Sequence, residues 1–178
     1  MDSETALPHL TARRLLLRPV SEADTELVFA LRSHPLVNGP IERIPLTNRA
    51  EAVDFIRNLI PDLSSQNLYY WVMVNQAKQE SMGIICMWNF SANRTKAEVG
   101  YELLPQYWSQ GYMHEALEAV IHFAFKQVGF SVLEAWANIG NIASVRVLTN
   151  AGFLPMEKDN LSNLATMTAY ELVNRSPF

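Results

Sequence analysis

Between residues 98 and 116 the chain brings together the makings of an anion site. A strand-like run from Glu98 to Leu104 is followed by a turn of small and polar residues, Ser109-Gln110-Gly111. A helical apolar pattern then begins, with Ala116, Leu117, Val120, Phe123, Ala124 and Val128 on one face. The first N–H groups of a helix have no acceptor within it and carry positive partial charge, so such a turn can hold phosphates through backbone amides alone. Gly111 would let the backbone approach closely, although an ordinary strand-to-helix turn also favours a glycine. Asn141 and Ser144 stand three residues apart at the head of a second, shorter helical segment, a spacing that suits N-capping by the asparagine.

Other chemistries lack their residues. His9, His34, His114 and His122 fall in no metal-ligand spacing, and no metal is expected. The phosphate-binding P-loop and the dinucleotide glycine pattern are both absent, which argues against a nucleotide kinase or a nicotinamide enzyme. Cys86 is the only cysteine, so neither an internal disulfide nor a cysteine-rich zinc site can form. In its apolar strand context it reads as a small buried residue rather than a nucleophile.

The elements that must position these residues follow from pattern. Arg14 to Val20 reads as a short strand stopped at Pro19, and Ser21 caps a helix over 22–32. Pro35, Gly39, Pro40 and Pro45 make 33–47 irregular. Asn48 and Glu51 resemble a capping box for a second helix, which Pro61 should end. Strands at 69–74, 83–90 and 96–104 form an antiparallel meander, a long helix spans 111–128, and another strand covers 133–137. A shorter helix over 142–150 ends at Gly152, a good left-handed terminator, and 164–173 alternates enough to be a last strand. This order predicts an α/β (α+β) sandwich with helices on both faces of a mixed, largely antiparallel sheet.

The bulk properties agree with one soluble domain over 1–178. A chain of 178 residues can bury roughly 70% of its unfolded surface in one core. A net charge of −4 gives no basis for nucleic-acid binding and suits an amine-bearing partner better. No apolar run reaches the roughly 18 residues of a membrane span, and no targeting segment is visible at the N-terminus. The expected compartment is the cytoplasm.

Trp108-Ser-Gln-Gly-Tyr-Met-His-Glu-Ala116, with Glu98-Val-Gly-Tyr101 before it, resembles the W-G-x-G-Y-[AM]-x-E-A run of the RimJ/RimL branch of the GCN5-related N-acetyltransferase (GNAT) superfamily. Asn141-Ile-Ala-Ser-Val-Arg-Val-Leu-Thr-Asn-Ala-Gly-Phe153 is similar to the N-x-x-S-x-x-[VL]-x-x-x-x-G-F segment of that family. Thr11 to Pro19 and the helix after it resemble its opening, so the likeness covers most of 11–172 in order.

The resemblance implies acetyl-CoA as cosubstrate, held between two splayed central strands. The pantetheine arm would pair with the backbone of Leu103 and Leu104, and the pyrophosphate would lie on the amides of Ser109, Gln110, Gly111, Tyr112, Met113 and His114. Glycine is usual at position 109. Serine favours an ordinary backbone geometry there and adds a hydroxyl. Glu115 reads as a packing or salt-bridge residue turned away from the phosphates. By resemblance Asn141 contacts the cofactor, Ser144 lies near the thioester sulfur, and Glu98 takes the amine's proton through water, with Tyr101 and Glu102 as secondary candidates. The implied function is acetyl transfer to a primary amine by direct attack. Its acceptor would be a protein N-terminus of the ribosomal-protein type or an amino-acid α-amine, bound mainly by 33–47 and the last strands. The alternatives are a polyamine or antibiotic acetyltransferase, or a non-catalytic acyl-CoA sensor. Relatives of this kind also commonly form homodimers.

Overall fold

Strand β3 (Tyr69–Asn75) is buried at every position, as a strand covered on both faces by helices must be. In the computed structural model, which describes residues 7–41, 43–156 and 166–175, β3 lies within an eight-stranded sheet. Its other strands are β1 (Leu10–Thr11), β2 (Leu15–Pro19), β4 (Glu80–Trp88), β5 (Lys96–Leu103), β6 (Val132–Asn138), β7 (Leu154–Pro155) and β8 (Met167–Val173). The spatial order is β1-β2-β3-β4-β5-β6-β8-β7. Every neighbouring pair is antiparallel except β5 and β6, which run parallel.

Two cores sandwich this sheet. On one face α1 (Thr25–Ser33) and α3 (Arg49–Ser64) bury Leu27, Val28, Leu31, Ala52 and Ile56 against Tyr70, Val72 and Ile84. On the other, α4 (Tyr112–Phe123) and α5 (Ile142–Asn150) bury Ala116, Leu117, Val120 and Leu148 against Trp71, Met73, Ile85, Val99 and Leu133. Alternate residues of β3, β5 and β4 from Gly83 onward serve alternate faces, the two-residue period of a strand, and the register slips beside Met82. Among the described residues, no helix is long and apolar enough to cross a membrane.

The predicted elements are found with local differences. Residues 22–24 form a 3-10 turn ahead of α1, and the irregular 33–47 segment contains a short helix α2 (Pro35–Asn38) and a 3-10 turn at Gly39–Ile41. Pro61 does not end α3, which continues to Ser64. A proline removes the one N–H that would bond back four residues, and here it lies in the exposed last turn, where that loss is open to solvent. The long predicted helix over 111–128 is α4 followed by a π turn at Ala124–Val128, and Gly129 terminates it at φ 89°. Gly152 is left-handed at φ 90°, as expected of the residue after α5. Residues 164 and 165 of the predicted last strand lie outside the described residues.

Gly83 lets β4 come unusually close to β5. A Cβ there would fall 2.3 Å from the Glu102 carbonyl oxygen and 3.0 Å from Leu103 Cα, both backbone atoms that cannot swing aside. Gly83→Ala should therefore lower unfolding free energy by about 1–3 kcal/mol, the usual range for overpacking. Urea denaturation measures this, and an unchanged midpoint would mean that the two strands can separate at no cost.

Candidate active site

The ladder between β5 and β6 lasts three residues. Lys96, Ala97 and Glu98 pair with Val132, Leu133 and Glu134, and pairing then stops although both strands continue. Beyond that point β5 stays with β4 as far as Leu103 opposite Gly83, while β6 stays with β8 as far as Asn138 opposite Met167. The sheet is thus open between Val99–Leu103 on one side and 135–138 on the other.

The register decides which backbone groups face the opening. Leu104 N–H donates to the Met82 carbonyl at 3.0 Å, so by antiparallel alternation Leu103 and Tyr101 turn their N–H and C=O away from β4. The Leu103 carbonyl accepts from Trp108 Nε1 at 2.7 Å. Leu104 is already engaged at both groups, because its carbonyl also accepts from Tyr107 N–H at 3.0 Å. The free edge is therefore Tyr101 with the Leu103 N–H, set back toward the closed end from the Leu103 and Leu104 pair expected from sequence.

This edge runs into the turn before α4. Ser109 adopts φ 60° and Gly111 φ 80°, both left-handed. The expectation of ordinary geometry at Ser109 is thus incorrect. The chain must reverse between the 3-10 turn at Pro105–Tyr107 and α4, and a serine in that conformation costs about 1–2 kcal/mol. Gly111 is the N-cap of α4 and brings no capping side chain, so helix geometry leaves the amides of Tyr112, Met113 and His114 without acceptors in the helix. The Met113 side chain is buried in the core, while Ser109, Gln110 and Gly111 are exposed.

Arg14, a residue the sequence reading passed over, holds this turn. Its Nε donates to Glu115 Oε2 at 2.8 Å, its Nη2 donates to the Gln110 carbonyl at 3.1 Å, and its guanidinium lies 4.2 Å from the Tyr112 ring centroid. Glu115 is thereby drawn into a salt bridge, as its position in the first turn suggested. Asn75 Nδ2 donates to the Tyr112 hydroxyl at 3.2 Å and fixes the ring from the other side. No spacing rule could pair Arg14 with Glu115 across 101 residues.

Across the opening, Asn141 caps α5, its Oδ1 accepting from Ser144 N–H at 3.2 Å. Ser144 Oγ lies 3.1 Å from the Tyr101 hydroxyl, which also donates to the Ser144 carbonyl at 3.3 Å. This hydroxyl pair links β5 to α5. Burial pushes the Tyr101 phenol up to about 12, with the Ser144 hydrogen bond opposing. It therefore keeps its proton at neutral pH, so Tyr101 is a donor rather than the reserve base suggested by its place in the motif.

Glu98 is the last residue of β5 paired with β6, at the closed end of the splay, and faces the α1 and α3 side. It is half-buried. Burial raises its carboxyl above the usual range, the Asn89 Nδ2 donor at 3.1 Å opposes this, and Glu134 opposite reinforces it. Glu102 lies on the same face of β5 but is engaged by Arg43. Trp88 covers Gly100 between the two carboxylates, and a Cβ at Gly100 would meet its ring at 2.6 Å. Cys86 donates weakly to the Gly100 carbonyl at 3.5 Å, and burial holds its thiol protonated. His114 Nε2 sits 3.5 Å from Glu118.

A three-layer α/β sandwich whose sheet opens between two parallel strands, with an amide-rich turn at the mouth of the opening, is the architecture of the N-acetyltransferases. The chain belongs to the acetyltransferase (GNAT) domain family, whose model matches residues 14–154. It is 27% identical over 146 residues to the uncharacterized N-acetyltransferase YoaA of Bacillus subtilis (strain 168), covering 82% of each chain. Its fold is that of RimL, the ribosomal L7/L12 alpha-N-protein acetyltransferase solved with coenzyme A, with a TM-score of 0.78 and 18% identity over 93% of this chain and 98% of that one. It is also that of spermidine N-acetyltransferase from Vibrio cholerae, solved with CoA and spermine, with a TM-score of 0.77 and 13% identity over 90% and 95%.

The raised carboxyl of Glu98 has a consequence for stability. A group whose pKa is higher folded than unfolded contributes stability below its unfolded pKa and loses it as pH rises through the folded value. Glu98→Gln removes that loss while keeping an acceptor for Asn89. At pH 7 the variant should melt above the wild type, and the gap should close below about pH 4.3, the reference value for glutamate. Melting curves at pH 4 and pH 7 test this, and a variant less stable at pH 7 would contradict it.

Proposed function

We propose that this chain transfers the acetyl group of acetyl-CoA to the α-amine of a peptide N-terminus or an amino acid by direct attack on the thioester. The observation that carries the reading is the free strand edge at Tyr101 and Leu103, which leads directly into the amides of 109–114. In this reading the pantetheine arm lies in the splay as a short extra strand, with its amides on Tyr101 and Leu103. The pyrophosphate rests on the N–H groups of Ser109, Gln110, Gly111, Tyr112, Met113 and His114, where helix-end charge favours an anion. Asn141, whose Oδ1 is spent on the helix cap, offers its Nδ2 to the cofactor.

Amine attack on the thioester carbon forms the C–N bond and expels sulfur. Glu98 takes the amine's proton through water, helped by its raised carboxyl, since a base works best with a pKa near the operating pH. Ser144 turns its hydroxyl from Tyr101 to hydrogen-bond the departing sulfur, the thiolate is protonated from water, and that proton balances the one the amine loses through water to Glu98. Cys86 forms no covalent intermediate.

The acceptor follows from the cost of a neutral nucleophile. With reference values of roughly 7.7–8.0 for an α-amine and about 10.4 for lysine, the difference at neutral pH is worth roughly 3 kcal/mol in favour of the α-amine. One half-buried carboxylate is a modest base to offset that. A thiol-release assay with acetyl-CoA should therefore give higher kcat/KM for N-terminal peptides and amino acids than for α-blocked lysine peptides or polyamines. Ser144→Ala should lower kcat more than it weakens CoA binding measured by calorimetry. The reverse acceptor order would overturn the choice of amine. CoA binding without thiol release to any amine would point to a sensor, and equal kcat for Ser144→Ala would remove the hydroxyl from the reaction.

A further inference from the structure

On the α1 and α3 face of the sheet, beside the opened stretch of β5, lies a cluster of polar side chains that the transfer chemistry does not use. Arg43, from the irregular segment after α2, makes a bidentate pair with Glu102 and donates from Nε to Asn38. All three of its donor nitrogens are thereby occupied. Arg32, on α1, is not satisfied in this way. Its Nη1 approaches Glu102 only to 3.7 Å, its guanidinium lies 3.9 Å from the Phe55 ring centroid, and its Nε is buried with no partner.

A second orphan sits beside it. Tyr70 is 4% exposed, its ring meets Phe55 edge-on at 6.1 Å, and its buried hydroxyl has no partner among the described residues. Tyr70, Cys86 and Gly100 form one row across β3, β4 and β5, with Glu102 in the adjacent row of the same face, so the hydroxyl, the guanidinium and the carboxylate share one patch. Glu102 is the carboxylate that Arg32 and Arg43 share, and Glu98 flanks the row on its other side, beyond Trp88. A buried donor left unpaired is costly, and two adjacent ones, on a guanidinium that Glu102 meets only at 3.7 Å and on a phenol, suit an anion that would satisfy both.

We propose that Arg32 and Tyr70 form an anion subsite on the acceptor side, and that the preferred acceptor is a primary amine carrying a carboxylate or phosphate group. The inference rests on the acetyl-transfer reading above and names its substrate class. The acceptor's anion accepts from Arg32 Nε and the Tyr70 hydroxyl, the Phe55 ring backs the guanidinium, and Glu102 stays with Arg43. A polyamine, all positive, meets a like charge at Arg32.

Matched acceptors that differ only in charge test this: amidated peptides beginning with Glu against Gln, and with Asp against Asn, together with a phosphoserine peptide against its serine counterpart. With acetyl-CoA and thiol detection, the anionic member of each pair should be favoured in kcat/KM by about tenfold or more, the scale of one charge-assisted hydrogen bond. The carboxylate and phosphate arms show which anion the subsite takes. In Arg32→Gln the preference should collapse toward equality, and this ratio is internal to each variant, so a general loss of rate does not obscure it. Tyr70→Phe should reduce the preference while raising the melting temperature, because the hydroxyl it removes is unpaired in the free protein. Equal rates within every pair for the wild type, or a preference that survives Arg32→Gln, would overturn the subsite while leaving acetyl transfer intact. No thiol release with any amine would instead remove the transfer reading and the subsite with it.

Discussion

The parting of β5 from β6 after Glu98 and Glu134 is the constraint on which the rest of the site depends. A continuous ladder would consume the N–H and C=O groups of Tyr101 and Leu103, and no edge would remain for a ligand to join. Each strand is held away from the other by its second neighbour. Gly83 allows β4 to approach β5, Trp108 Nε1 takes the Leu103 carbonyl, and β8 pairs β6 along its whole length. The Tyr101 and Ser144 hydroxyls meet on the α4 and α5 face, linking β5 to α5 beside the opening.

The two faces of β5 divide the labour. Odd-numbered residues turn toward α4 and α5, where Tyr101 meets Ser144, while Glu98 and Glu102 turn toward α1 and α3. The irregular segment between α1 and α3 reaches the same face through Arg43 and is tied back by Leu46 N–H to the Arg32 carbonyl at 3.0 Å. Backbone strain is present where a ligand would be held. Ser109 keeps a left-handed backbone at φ 60°, and α4 begins with uncapped amides, features that the Arg14 contacts to Glu115 and Gln110 hold in place.

Much of this was legible in the sequence because it is local. The caps at Asn48 and Asn141, the left-handed Gly152, the meander of β3 to β5 and the helix start after Gly111 all follow from spacings of a few residues. The family motifs placed the turn and α5 in the right order. What stayed hidden depends on separation in sequence. Arg14 with Glu115, Tyr101 with Ser144, and Arg43 with Glu102 are 101, 43 and 59 residues apart, and no local pattern marks them. The exhaustion of Leu104's backbone groups could be read only from the register with Met82. Pro61 and Ser109 misled for a different reason, since Pro61 gives up one bond in an exposed last turn and the chain reversal before α4 overrides the backbone preference of Ser109.

In the proposed transfer, the opened edge of β5 and the turn before α4 together receive acetyl-CoA. Amide hydrogen exchange of the free protein and of the protein saturated with acetyl-CoA tests it at single-residue level. The expected result is strong added protection at Tyr101, Leu103 and the amides of 109–114, with the β3 and β4 ladder amides, already bonded, changing little. Saturable binding of acetyl-CoA that left those amides exchanging at their free rates would place the cofactor elsewhere.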